Sequence, residues 1–349
     1  MKVNAEIETW INDSVLPRYD RFDKGHRRDH AEHVIRTALE LAGNYDVNAD
    51  MVAVAAACHD LGLETGRDTH HLESGRIIRS MDELHRWFTR EQIETVAQAA
   101  EDHRASSKSA PRSIYGRIVA EADRQINPET VIRRTVQFGF RNWPELDREG
   151  HWKRTVSHLE EKYAEGGYLR LWIPESGNAA ALKELRAIIS DTSELRKRFE
   201  AVYKEEMYRD ILQKAEALTE EENDSIARMS NIAALLHQNM HFWWTGFYRI
   251  SGNELVLGPF QGPVACMHIP YGKGVCGTAW KEGKTVVVPD VEKFPGHIAC
   301  SSESRSEIVV PVYGMEKITA VLDIDSKEIA AFDDTDAHWL NEIVKCLKQ

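Results

Sequence analysis

"ADMVAVAAACHDLG", residues 49–62, is apolar for most of its length and then breaks into the adjacent pair His59 and Asp60. A helix that is hydrophobic on every side belongs inside a domain rather than on its surface. The stretch therefore predicts a buried helix whose end delivers an imidazole and a carboxylate. The segments around it, "HAEHVIRTALELA" (30–42), "EQIETVAQAAEDH" (91–103) and "SIYGRIVAEADRQI" (113–126), repeat apolar residues at intervals of three and four, the helical period. Strand signals are almost absent up to residue 200. An all-α domain is expected over 1–200, with a core at about 20–130 and a helical extension at 131–200.

Beyond a further helical stretch the texture changes. "HFWWTGFYRI" (241–250), "ELVLGPF" (254–260), "KTVVVPD" (284–290), "SEIVVPVY" (306–313) and "ITAVLDIDS" (318–326) are short, rich in β-branched or aromatic residues, and bounded by Gly, Pro, Asn and Asp. These features predict strands. Residues 201–349 should form an α+β domain around a central antiparallel sheet. The boundary near 200 carries no Gly/Ser- or Pro-rich linker, so a continuous helix is expected there.

The 349 residues are 42% hydrophobic and 29% charged, enough apolar material for two ordinary cores. Net charge is −12, with −4 in residues 1–200 and −8 in residues 201–349. Neither half has the basic stripe that binding a phosphate backbone requires, so nucleic acid is not an expected partner. No apolar run approaches the roughly 20 residues of a membrane span, and the start lacks the order of a signal peptide. A soluble, cytoplasmic protein is expected. Five cysteines, an odd number, do not read as a disulfide framework.

In the first half, "GHRRDHAEHV" (25–34) supplies His26, His30 and His33, the apolar helix ends at His59 and Asp60, and "AEADR" (120–124) supplies Asp123. Histidine and carboxylate from separate helices are the donors a divalent metal takes when it keeps positions open for water and a phosphate oxygen. A lone His-Asp pair is more often a capped helix end, but the set in this order resembles the HD phosphohydrolase superfamily over about residues 20–130. The resemblance implies that His30, His59, Asp60 and Asp123 bind one divalent ion, manganese, iron or another, and that the substrate is a phosphate ester such as a nucleotide. "THHLESG" (69–75) and "EDHRASSKSAPR" (101–112) add His71 and His103 as a second metal pair or as phosphate contacts. Arg104 and Lys108 are phosphate clamps by residue type, with a solvated loop as the plain alternative.

In the second half, Cys266, Cys276 and Cys300 fall within 35 residues. The glycines of "GPFQGPVACMHIPYGKGVCGTAW" (258–280) match the GxGxxG spacing at Gly272, Gly274 and Gly277. A dinucleotide site is rejected, because a thiol precedes the third glycine and no acidic residue follows in a βαβ context. A tight loop approaching a small ligand fits better. Zinc, with His268 or His297 as a fourth ligand, is the rival reading of the cysteines. It lacks the pairs spaced two to four apart that structural zinc favours, and a nucleophilic thiol with a resolving thiol fits better.

Together, "WWTGFYRI", the loop just quoted, "TVVVPDVEKFPGHIAC", "SEIVVPV" and "AVLDIDS" resemble the free methionine-(R)-sulfoxide reductases, enzymes built on a GAF domain, over about residues 205–347. The resemblance implies reduction of free L-methionine (R)-sulfoxide with thioredoxin as reductant, no cofactor in this domain, and a homodimer. It assigns the attack to Cys300 and its resolution to Cys266, with Cys276 next. Trp244 and Tyr248 would enclose the methyl-sulfur end, although core packing is the plain reading of two such aromatics. Glu307, Asp323 and Asp325 would hold the ammonium. One departure is Ser301, where the family usually has aspartate after the attacking cysteine, which bears on the thiol pKa and the rate. The competing reading treats the GAF domain as a sensor of methionine sulfoxide or redox state that regulates the hydrolase; a third, a degenerate scaffold, conflicts with the intact metal set.

Overall fold

The computed structural model describes every residue except 23–25, 108, 299–301, 316 and 348–349. The chain divides into two compact units, Met1–Phe199 and Glu200–Gln349. The first is helical and the second is built on an antiparallel sheet, as their hydrophobic periods predict.

The first unit comprises α1 (Ala5–Trp10), α2 (Arg28–Ala42), α3 (Ala49–Cys58), α4 (His70–Arg79), α5 (Arg90–Glu101), α6 (Ile114–Asp123), α7 (Pro128–Asn142), α8 (Arg148–Tyr163) and α9 (Asn178–Ser190); the division between units falls inside α10 (Thr192–Thr219). Helix α3 is the hub. Asn48 caps it by accepting from the amides of Asp50 and Met51, and Met51 through Cys58 are all buried. Around it pack α2, α5 and α6. Helix α2 turns Ala31, Val34, Ala38 and Leu41 inward, the spacing of a single helical stripe. With the hub apolar throughout, its first polar residues appear where it ends, at His59 and Asp60.

Helices α7 to α9 bury a core of their own around Ile132, Leu159 and Leu185. Glu121 of α6, fully buried, ties the segment before α9 to the helix that carries Asp123. Its carboxylate accepts hydrogen bonds from the amide of Trp172 at 2.6 Å, Ser176 Oγ at 2.5 Å and Asn178 Nδ2 at 2.9 Å. Removing the acceptor leaves these donors unpaired in a dry interior, at about 1–3 kcal/mol for a buried orphan. Glu121→Ala should therefore lower unfolding stability by about 3 kcal/mol, read as a shifted denaturant midpoint. A shift below about 0.5 kcal/mol would show that water satisfies the segment.

The second unit continues with α11 (Ser225–Met240), β1 (Trp244–Ser251), β2 (Glu254–Gln261), β3 (His268–Pro270), α12 (Gly274–Glu282), β4 (Val286–Val288), β5 (Ser306–Tyr313), β6 (Ile318–Ser326) and α13 (Asp334–Ile343). The six strands lie in the order β3-β2-β1-β6-β5-β4, each neighbouring pair antiparallel. Successive side chains on a strand face opposite ways, which sorts the central strands cleanly. Phe247, Ile308, Val310, Leu322 and Ile324 join the core with Ile232 and Leu236 of α11. Trp244, Tyr248, Val309 and Val321 share the other face with Val275 and Cys276 of α12. Among the described residues, no helix is long and apolar enough to cross a membrane.

Candidate functional sites

In the first unit, His30 comes from α2, His59 and Asp60 from the end of α3, and Asp123 from the last turn of α6. His30 Nε2 lies 3.2 Å from Asp123 Oδ1 and 3.7 Å from Asp60 Oδ2; His59 Nε2 lies 3.3 Å from Asp60 Oδ2 and 3.7 Å from Asp123 Oδ1. The other oxygen of the same carboxylate faces a second group. Asp60 Oδ1 is 3.3 Å from His103 Nε2 and 3.6 Å from His70 Nε2, and those two nitrogens are 3.2 Å apart.

Three of these histidines are oriented by the backbone. The Nδ1–H groups of His59, His70 and His103 donate to the carbonyls of Ala56, Arg67 and Ala100, each three residues earlier, at 2.7, 2.6 and 2.5 Å. A carbonyl can only accept, so Nδ1 carries the proton and the lone pair at Nε2 points into the cluster. This is the arrangement that prepares a histidine for a metal. The nitrogens His30 Nε2 and His59 Nε2 are buried with no hydrogen-bond partner, although buried polar atoms are normally paired. Unpaired imidazole nitrogens converging with two carboxylates fit a divalent cation. Burial opposes a charge on His59, but Asp60 and Asp123 overcome it and push the imidazole up to about 9, so a cation that takes the Nε2 lone pair displaces a proton from it. Burial would raise the Asp60 carboxyl, yet His59 and His103 hold it well below the usual carboxylate range.

One expectation needs correction. His70, not His71, stands beside His103 and Asp60. The two histidines open α4 side by side, and neighbours on a helix point about 100° apart, so only one can face Asp60. His71 Nδ1 instead lies 3.5 Å from Arg104 Nη1. Arg104 also donates to the Asp68 carbonyl and, through Nε, to Ser106 Oγ at 3.0 Å, which holds it in its own loop. His33 contacts Arg36 at 3.0 Å, and His26 precedes α2. Lys108 lies outside the described residues.

In the second unit, one face of the sheet carries the site. Strand register places Trp244 opposite Asp325, Gly246 opposite Asp323, and Glu307 opposite Asp325. The period of two thus gathers two aromatics and three carboxyls that the chain spreads over 82 positions, from Trp244 to Asp325. Trp244 and Tyr248 stack with centroids 5.9 Å apart, and Trp244 stacks on Phe260 at 5.5 Å. Gly246 permits this, because a Cβ there would meet the Trp244 ring at 2.5 Å. A pocket opens above, lined by Trp244, Tyr248, Val264, Cys276, His297, Ser304 and the three carboxyls. The loop glycines Gly272 and Gly274 take φ of +69° and +61° and lead into α12.

The carboxyls are electrostatically starved. Burial first, then the neighbouring acids, pushes Glu307 and Asp323 well above the ordinary carboxylate range, and burial lifts Asp325 to about 6. Asp323 Oδ1 is buried with no partner. Such a group favours a cation brought in by a ligand. Cys276 Sγ packs among oxygens of Glu307 and Asp323, and burial together with those acids raises its pKa well above that of a free thiol. It is a neutral thiol at pH 7. Cys266 is disulfide-bonded, whereas Cys58, Cys276 and Cys346 are free. The disulfide takes Cys266 out of the three-cysteine zinc reading, and the described neighbours of Cys276 Sγ are carboxylates rather than a second thiolate. Cys300 and Ser301 lie outside the described residues.

Comparison with known proteins adds two matches. The HD domain family matches residues 27–127 and the GAF domain family residues 205–345. The chain is 53% identical to GAF domain-containing protein A of Dictyostelium discoideum over 41% of its own length and 92% of that protein. It is 42% identical to the free methionine-R-sulfoxide reductase of Escherichia coli over 42% of its own length and 89% of that enzyme. Among solved structures, a free methionine-R-sulfoxide reductase of Neisseria meningitidis in complex with its substrate is 50% identical, covering 41% of this chain and 87% of the other with a TM-score of 0.41.

Proposed function

Through its GAF domain the chain belongs to the free methionine-R-sulfoxide reductase family, and we propose that this domain reduces free L-methionine (R)-sulfoxide by thiol chemistry while the HD domain hydrolyses a phosphate ester with a divalent metal. The observation that carries the first part is the pocket in which three carboxyls crowd together, Glu307 and Asp323 buried and Asp325 half-buried, beside two stacked aromatics. An α-ammonium relieves the carboxyls, and the aromatics take the methyl-sulfur end. A methionine inside a protein has no ammonium to offer, so the free amino acid is the substrate.

The Cys300 thiolate attacks the sulfoxide sulfur; the S–O bond breaks, the oxygen passes to the cysteine sulfur with uptake of a proton, and methionine leaves. Glu307 and Asp323, which burial and the neighbouring acids push well above the ordinary carboxylate range, are placed to supply that proton. Cys266 then attacks the sulfenic acid, forming a disulfide and releasing water. Its bonded state supports that role over Cys276. Thioredoxin serves as reductant.

In the HD domain His30, His59, Asp60 and Asp123 would hold the ion, with His70 and His103 completing a second position that shares Asp60. A divalent cation there supplies charge neutralisation for the phosphate and lowers the pKa of a water. His59, His70 and His103, by donating Nδ1–H to the backbone, stay in the ligating tautomer with Nε2 turned into the cluster.

The test is a pH profile of the full chain with dithiothreitol and the free (R) sulfoxide. Asp325 must be ionised to hold an ammonium, and its raised pKa of about 6 sets the sign. KM should rise as pH falls through about 6, roughly tenfold for each further unit where one ionisation governs, while peptide-bound methionine sulfoxide stays unreduced at every pH. A KM flat from pH 5 to 8, or equal reduction of the peptide, refutes the ammonium reading.

A further inference from the structure

The loop that carries Cys266 has a construction that substrate binding does not require. Trp244 Nε1 donates to the Pro263 carbonyl and Tyr248 Oη to the Cys266 carbonyl, each at 3.0 Å. The two pocket aromatics therefore hold the loop from beneath by its backbone. Above, Val264 is 86% and Met267 is 68% exposed. With Met315 these are the most exposed large apolar side chains among the described residues. They flank a half-buried Cys266 whose sulfur is already in a disulfide. Cys276, by contrast, is buried.

We propose that Val264 and Met267 form the docking lip for the protein dithiol that re-reduces the enzyme, and that Cys266 Sγ is the sulfur it attacks. The inference rests on the reductase reading above and adds where the reductant lands. A small thiol needs no apolar platform. A protein dithiol must seat its own surface around a disulfide sulfur, and contiguous exposed apolar side chains mark such contacts; methionine suits a surface that adapts to its partner. The disulfide identifies the occupant, because the enzyme cannot turn over until two electrons arrive there. The partner thiolate bonds to Cys266 Sγ, the Cys266 disulfide breaks, and its electron pair leaves on the other cysteine sulfur, which takes a proton. The partner's second thiolate then attacks the mixed disulfide and releases Cys266. The partner ends as a disulfide and the enzyme as two thiols.

The experiment compares two reductants on the full chain. With thioredoxin, its reductase and NADPH, Met267→Asp should raise the KM for thioredoxin about tenfold, the scale of one docking residue. With dithiothreitol its kcat and its KM for the sulfoxide should match wild type, since Met267 lies outside the pocket. Met267→Ala should raise the same KM by a smaller factor, whereas Val264 also lines the pocket and is left unchanged. Independently, wild-type chain mixed with thioredoxin lacking its second cysteine should trap a mixed disulfide at Cys266, located by peptide mass mapping. An unchanged KM for thioredoxin, an equal loss with both reductants, a trap at another cysteine, or a changed oligomeric mass in Met267→Asp overturns the docking lip. Wild type inactive with dithiothreitol overturns the reductase reading itself, and the lip with it.

Discussion

Replacing Cys300 with serine should abolish methionine formation, both in turnover with thioredoxin and in a single turnover of pre-reduced enzyme. A serine hydroxyl is not ionised at neutral pH and is a poor nucleophile toward sulfur, so the loss should reach about a thousandfold or more. Cys266→Ser should behave differently. It retains the attacking thiol, so it should release about one methionine per chain and then stall, because no disulfide forms for a reductant to open. Cys276→Ser should keep most of its single turnover. Burial and the Asp323 and Glu307 carboxyls hold the Cys276 thiol protonated, and a protonated thiol does not attack. The assay quenches reduced enzyme after mixing with the (R) sulfoxide and counts methionine per chain. A full single turnover by Cys300→Ser, with none from Cys276→Ser, would reverse the assignment.

Asp60→Ala should strip the first domain of metal and of phosphohydrolase activity while sulfoxide reduction survives. Among the described residues, Asp60 is the one whose two oxygens face both histidine groups, Oδ2 toward His30 and His59 and Oδ1 toward His70 and His103. Its removal deletes a donor from each position, and metal affinity should fall by more than the 10–100-fold typical of losing an outer-shell partner. Elemental analysis of purified protein, with a metal-supplemented screen of phosphomonoesters and nucleotides, reads both effects. Metal retained at the wild-type level would remove Asp60 from the ligand set. His71→Ala, one residue from His70 but turned away from Asp60, is the matching control and should keep its metal.

Much of the architecture is legible along the chain because it is periodic. An apolar run with no polar face, as at 51–58, has nowhere to go but the interior, and it carries His59 and Asp60 in with it. Alternation in "SEIVVPVY" and "ITAVLDIDS" separates Ile308 and Ile324 from Glu307, Asp323 and Asp325 before any partner strand is known. His30, His59, Asp60 and Asp123 read as one site through the order they share with the HD superfamily, since a lone His-Asp pair reads more plainly as a capped helix end.

What the sequence could not decide are choices between near neighbours whose answer depends on something far away. His70 and His71 are equivalent by type and position until α4 docks and only one side of its first turn meets Asp60. Cys266 and Cys276 both flank the same glycine loop. They part only when α12 packs Cys276 against Val309 and Val321 under the carboxyls, while Trp244 and Tyr248 hold the Cys266 backbone at the lip. Residue type and local period set which face a side chain takes, and those act over a few residues. Burial, ionisation and access to a partner are set by long-range packing, and it is these that make one thiol inert and hold another in a disulfide.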